Sequence, residues 1–176
     1  MAPRYSLARR RAKELLNKGR VKGVPVPIDK LATILGATIR YEPFPGELSG
    51  MVHRNSDGTA VIGVNALHTP SRQRFTIAHE LGHLLLHENQ DLHVDEAFPI
   101  GLRSRVSGLA VDEREIEANQ FAAELLMPTD LISEDVDLLR DRGVDVDDAI
   151  AKLSQRYRVS SEAMTIRLSA LKLIKL

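Results

Sequence analysis

The sequence predicts an α+β protein in which helices come first, a small antiparallel or mixed sheet follows, and helices return to the C-terminus. Two observations carry this prediction. Apolar residues recur at helical spacing near both ends of the 176-residue chain, while alternating runs cluster between residues 37 and 65. The composition agrees, with 43% hydrophobic and 27% charged residues and no cysteine, so a core must form without disulfides.

The elements follow in order. Leu7, Ala8, Arg11, Leu15 and Leu16 give an amphipathic first helix over 6–18, closed by Gly19. Pro25 and Pro27 break the chain, and Ile28, Leu31, Ala32, Ile34 and Leu35 fit a short buried helix that stops at Gly36. Residues 37–41 alternate as a strand, and 48–54 and 59–65 form two more around Asn55-Ser56-Asp57-Gly58, a hairpin signal. Thr69-Pro70 supplies an N-cap and a first helical residue for a helix reaching about Glu88. Residues 90–111, with Pro99, Gly101 and Gly108, read as a long irregular loop of the kind that often serves function. Asp112 caps a helix that Pro128 ends, and helices follow over 129–139, 145–157 and 160–173. A division at 128 separates a body, 1–128, from a helical segment, 129–176.

The formal net charge is zero, but it cancels between blocks. Residues 1–22 hold eight Lys/Arg and one acid, residues 112–148 three and thirteen, and residues 149–176 six and one. The neutral sum argues against a generally basic nucleic-acid binder, and Arg9, Arg10, Arg11 and Lys13 read as a solvated helix face. The longest apolar runs are far short of a membrane span, and the basic N-terminus lacks the apolar stretch of a signal peptide. The expectation is a soluble cytoplasmic protein without a membrane role.

Chemistry concentrates in His79-Glu80-Leu81-Gly82-His83. Residues i and i+4 of a helix share a face, so two imidazoles can meet one tetrahedral ion while Glu80 reaches the water beside it. Ile77, Ala78, Leu81, Leu84 and Leu85 bury another face, and Gly82, costly inside a helix, marks a close approach by another backbone. Leu86 and Asn89 stand where the extended metzincin pattern needs Gly and His. A third ligand must come from elsewhere. His87 lies too far along the axis from His79 to share its ion. His93 is a lesser candidate, and Glu113, Glu115, Glu117 and Glu124 are stronger ones. Glu115 with Asn119 forms an i, i+4 pair that places a carboxylate on the metal and an amide behind a ligating His; Glu115 also fits a capping box opened by Asp112.

Residues 71–83, Ser-Arg-Gln-Arg-Phe-Thr-Ile-Ala-His-Glu-Leu-Gly-His, and residues 115–128, Glu-Ile-Glu-Ala-Asn-Gln-Phe-Ala-Ala-Glu-Leu-Leu-Met-Pro, closely resemble the ImmA/IrrE family of metallo-endopeptidases. Val24-Pro25-Val26-Pro27, Ser49-Gly50 and Val64-Asn65 extend the resemblance over most of the chain. It implies a zincin-like core of gluzincin character, with one Zn2+ held by His79, His83 and Glu115, Asn119 behind a ligand, and Glu117 as the rival of Glu115. Other divalent metals suit such a site. Glu80 is then the general base that takes a proton from water and passes it to the leaving amine.

The resemblance also implies a narrow protein substrate, a helix-turn-helix transcriptional repressor of lambda type whose cleavage derepresses stress-response, mobile-element or phage genes. Ser49 and Gly50, small residues on the strand 48–54, are expected to let an extended peptide pair with an exposed sheet edge. Tyr41, His53, His93 and Arg103 are chemically suited to stabilise an oxyanion. Residues 150–168 resemble a helix-turn-helix, although packing on the body is favoured over DNA binding. A reading from another class is a regulatory or toxin-antitoxin binding protein that retains the fold without proteolysis.

Overall fold

In the computed structural model, residues 3–44, 48–87, 92–96 and 113–174 are described. Among them the elements are α1 (Tyr5–Lys18), α2 (Ile28–Ile34), β1 (Ala37–Glu42), β2 (Leu48–Arg54), β3 (Ala60–Asn65), α3 (Pro70–Leu86), β4 (Leu92–Glu96), α4 (Glu113–Leu126), α5 (Thr129–Asp141), α6 (Val146–Tyr157) and α7 (Ser161–Ala170). The architecture is mixed α+β, with seven helices and one four-stranded mixed sheet among the described residues. None of these helices is long and apolar enough to cross a membrane.

The strand order is β1-β3-β2-β4. β2 and β3 pair as the antiparallel hairpin expected around Asp57-Gly58, where Gly58 takes φ +84° and Asp57 Oδ1 accepts from the Thr59 amide. β1 joins β3 in parallel, after Gly36 turns the chain out of α2 at φ +72°. β4 is an addition to the predicted elements. It lies within the segment expected to be irregular and pairs antiparallel with β2. The rest of that segment, including Arg103, and the capping position Asp112 lie outside the described residues.

One consequence is a correction. β2 is an interior strand, paired with β3 on one side and β4 on the other. Its backbone is therefore committed, and Ser49 and Gly50 do not line the exposed edge proposed for peptide pairing. Ser49 falls at an irregularity where Leu48 and Gly50 pair with the successive residues Glu96 and Asp95 of β4. Its buried hydroxyl accepts from Arg72 Nη2 at 3.0 Å.

α3 lies between the sheet and α4, and every residue from Thr76 to Leu84 is buried. Its start is set as expected: the Thr69 hydroxyl accepts from the Arg72 amide and Pro70 occupies the first turn. Ala118, Phe121, Ala122, Leu125 and Leu126 bury α4 against it, and Ala8, Ala12, Leu15 and Leu16 seat α1 across α4. A Cβ on Gly82 would stand 3.1 Å from Ala118 Cα and 3.3 Å from its carbonyl oxygen. Glycine here lets the two helix backbones meet.

The C-terminal helices share this core: Leu153, Tyr157, Met164 and Leu168 belong to the same buried cluster as Ile77, Leu81 and Phe121. Arg167 of α7 reaches back to the end of α4, donating to Glu124 Oε2 at 2.6 Å and to the Met127 carbonyl at 2.9 Å. Between α6 and α7 the chain turns at Arg158, φ 54°, and the Ser160 hydroxyl accepts from the Ala163 amide. The N-terminal basic face is partly paired, Arg11 with Glu14 and Lys13 with Asp130 of the acidic block.

Candidate metal centre

Four side chains from three elements converge between α3, α4 and β4: His79, His83, His93 and Glu115, whose ligand atoms all lie within 4.8 Å of one another. The i, i+4 spacing stacks His79 and His83 one turn apart on α3, with their Nε2 atoms 3.0 Å apart. Glu115, near the start of α4, sets one carboxylate oxygen 3.2 Å from His79 Nε2 and the other 3.3 Å from His83 Nε2. The Gly82–Ala118 crossing makes this reach short enough, because it fixes how closely α4 approaches the His-bearing face of α3. His93 Nε2 lies 3.4 Å from Glu115 Oε1. Its ring stacks on that of His83, with centroids 3.5 Å apart and planes 19° apart.

The far ring nitrogens fix which atoms face the centre. His79 Nδ1 lies 3.0 Å from Asn119 Oδ1, an acceptor, so the proton sits on Nδ1 and Nε2 keeps its lone pair. His83 Nδ1 meets His87 Nδ1 at 3.0 Å, and His87 Nε2 meets Glu117 Oε2 at 3.1 Å. The carboxylate accepts a hydrogen bond from His87 Nε2–H, so His87 Nδ1 accepts from His83 Nδ1 and His83 Nε2 also presents a lone pair. Glu117 is held in turn by the Arg4 amide at 2.7 Å and by Arg4 Nη2 at 2.8 Å.

Two lone pairs and a carboxylate crowd one point. Lone pairs held 3.0 Å apart repel unless a cation lies between them. Ligand atoms about 2.0 to 2.1 Å from a tetrahedral ion lie about 3.3 Å from each other; His83 and His93 Nε2 stand 3.3 and 3.4 Å from Glu115 Oε1, and His79 Nε2 stands 3.2 Å from Oε2. The donor set fits a zinc-sized ion.

Electrostatics keep these groups in ligand form. Burial pushes the His83 imidazole down to about 4, outweighing the carboxylate of Glu115. Burial alone would raise the Glu115 carboxyl, but the His79 and His83 side chains facing it hold it well below the usual carboxylate range. Glu117 is held down to about 2, chiefly by its Arg4 hydrogen bond. Near neutral pH the centre therefore offers a neutral His83 imidazole and an ionised Glu115.

Glu80, next to His79, is fully buried, and its Oε1 lies 3.4 Å from where a Cβ on Gly50 would sit. The groups such a Cβ would crowd are Thr76 Cγ2 of α3 and, at 3.0 Å, the Gly63 carbonyl oxygen of β3, so the small residue on β2 admits its own neighbours rather than a peptide backbone.

The structure brings together His79, His83 and Glu115, with Asn119 behind His79. It places the other acids elsewhere: Glu117 on Arg4 and His87, and Glu124 on Arg167 and Thr129. His93 joins the cluster, whereas Tyr41, 49% exposed, and His53 lie on solvent-facing positions of the sheet. The sequence left one signal for His93. Leu92-His93-Val94 alternates, but with Leu92 and Val94 exposed and the His turned inward, the reverse of a core strand.

A family model for the IrrE N-terminal-like domain, a peptidase family, matches residues 32–169. The chain belongs to that family. The radiation response metalloprotease IrrE of Deinococcus radiodurans is 34% identical over 104 residues, 58% of this chain and 29% of that protein. That of Deinococcus deserti is 39% identical over 102 residues, covering 57% and 33%. The chain thus corresponds to at most a third of the length of these curated relatives. Among solved structures, a transcriptional regulator from Mycobacterium tuberculosis superposes with a TM-score of 0.58 at 19% identity, covering 92% of this chain and 46% of that one. That likeness concerns the fold. The His/Glu cluster, a group that could hold a metal ion, thus lies in a chain of the IrrE N-terminal-like peptidase family.

Proposed function

We propose that the protein is a zinc-dependent endopeptidase with a zincin-like core, in which His79, His83 and Glu115 hold one Zn2+ and Glu80 is the general base. The observation that carries this reading is the convergence of two imidazole lone pairs and a carboxylate beside a buried glutamate. When bound, zinc would supply Lewis acidity, polarising a scissile carbonyl and lowering the pKa of water toward neutrality. The protein's own groups do the rest. Asn119 holds the His79 tautomer through Nδ1, and the His87–Glu117–Arg4 chain does the same for His83. The Glu80 carboxylate takes a proton from the attacking water and returns it to the leaving amine.

The proposed substrate is a helix-turn-helix transcriptional repressor, cleaved in the cytoplasm to release the genes it silences. The body 1–128 carries the chemistry, and 129–176, with its helix-turn-helix-like pattern, serves as packing. A neighbouring repressor of lambda type would be the first substrate to incubate with the zinc-loaded protein. Cleavage is expected, and Glu80→Gln should keep zinc and fold while losing about 10²- to 10⁴-fold in rate. Undiminished cleavage by a zinc-loaded Glu80→Gln protein would contradict the assignment.

A second reading has one observation behind it. Four protein donors, not three, surround the centre, and closed four-ligand zinc sites are ordinarily structural. In that reading the protein regulates by association with protein or DNA. Binding of the repressor or its operator without cleavage would favour it.

A further inference from the structure

We propose that His93 is a displaceable fourth ligand: its imidazole fills the coordination position that peptide hydrolysis requires, so the resting site is closed and must be opened by rotation of one side chain. This rests on the proposed metal site and reconciles its four donors with a catalytic glutamate.

The geometry separates His93 from the other three. His79, His83 and Glu115 stand on α3 and α4, whose crossing is fixed by the Gly82–Ala118 approach. The ring orientations of His79 and His83 are set from behind by Asn119 and His87. His93 instead comes from β4, which among the described residues is an edge strand paired with β2 alone. The residues on either side of it, Leu92 and Val94, are 51% and 42% exposed, so little apolar burial anchors the strand at this point. His93 pairs with Val52, which is buried, and this directs its ring inward to the cluster. Turning that ring away by rotation about its own side-chain bonds leaves the strand pairing intact. A site built only to hold an ion gains nothing from a fully buried Glu80 next to His79 in α3. The charge argument points the same way: replacing His93 by water or by a substrate carbonyl changes no formal charge, so exchange at this position carries no electrostatic penalty from an uncompensated ion.

The test uses the full chain loaded with Co2+, whose absorption reports ligand number and type, with azide as a small competing anion. In the wild-type protein the four-ligand site should leave the cobalt spectrum unmoved by millimolar azide. In His93→Ala the azide should bind and shift the spectrum, and a zinc competition titration should show at least about tenfold weaker affinity. At saturating zinc, the turnover of His93→Ala on the repressor should rise. A wild-type cobalt spectrum that azide shifts as readily as the variant's, with equal zinc affinities, would overturn the proposal while leaving the three-ligand site standing. A zinc-loaded His93→Ala protein that loses cleavage would also overturn it, making His93 a stabiliser of the reacting oxygen. Failure of the wild type to bind either metal would instead remove the metal site itself. The azide measurement on wild type does not depend on the variant folding.

Discussion

Helix α4 carries Glu115 near its start and the fully buried Glu124 near its end, and these two carboxylates meet their surroundings in opposite ways. At its C-terminal end Glu124 meets partners that complete it: Arg167 Nη2 at 2.6 Å, the Thr129 hydroxyl at 2.7 Å and the Thr129 amide at 3.1 Å. Arg167 Nε and Nη2 also donate to the Met127 carbonyl, and Nη2 to the Thr129 hydroxyl. At its N-terminal end Glu115 faces three imidazoles, two of which turn lone pairs toward the same point. Donors and acceptors are matched in the first network and mismatched in the second. A protein-only pairing closes one, and a cation would close the other. Burial alone does not mark function; the sign of what faces the buried charge does.

Breaking the completed network should give the largest loss of stability. Arg167→Met leaves Glu124 buried without its ion partner and should cost about 3–5 kcal/mol, read by urea denaturation, while the folded fraction still binds zinc at wild-type affinity. Gly82→Ala forces a methyl group against Ala118 where α3 and α4 touch. It should cost about 1–3 kcal/mol and, unlike Arg167→Met, should weaken zinc as well, because the crossing sets the distance from Glu115 to both histidines. Glu117→Gln removes the charge that Arg4 and His87 hold, so it should cost less stability than Arg167→Met but not none, and by loosening the support behind His83 it should lower zinc affinity about 10- to 100-fold in a competition titration. This separates the chain that orients a ligand from the ligands themselves.

Acid should distinguish the two ends by the smallest effect. Burial by itself would raise the Glu124 carboxyl, but Arg167 and Thr129 outweigh it and bring it below its ordinary 4.5. A depressed carboxylate contributes stability that is fully present above its unfolded value and is lost as pH falls toward its folded one. Melting temperatures of the metal-free protein should therefore fall below about pH 5, and by less in Glu124→Gln.

The same contrast explains what was legible in the sequence. His79, Glu80, His83, Glu115 and Asn119 were visible because each pair sits within one helix, where fixed i, i+1 and i, i+4 spacing converts sequence directly into geometry. The helices and the β2–β3 hairpin were visible through caps and turn residues such as Thr69-Pro70 and Asp57-Gly58. Pairings between elements had no such signal. Arg4 with Glu117 and Arg167 with Glu124 join residues 113 and 43 positions apart, and nothing local to either partner announces the other. The parallel β1–β3 pairing, and with it the interior place of β2, depends on a crossover that periodicity does not encode. β4 escaped because its apolar side chains face outward and its polar one faces the site.

The central claim is that the mismatched end of α4 is a metal site and the matched end is not. Zinc content per chain, measured after dialysis against a weak chelator for the wild type, Glu115→Ala and Glu124→Gln, tests it most directly. The account predicts one zinc per chain in the wild type and in folded Glu124→Gln, and its loss from Glu115→Ala. Zinc retained equally by Glu115→Ala, or absent from the wild-type protein after loading, would contradict it.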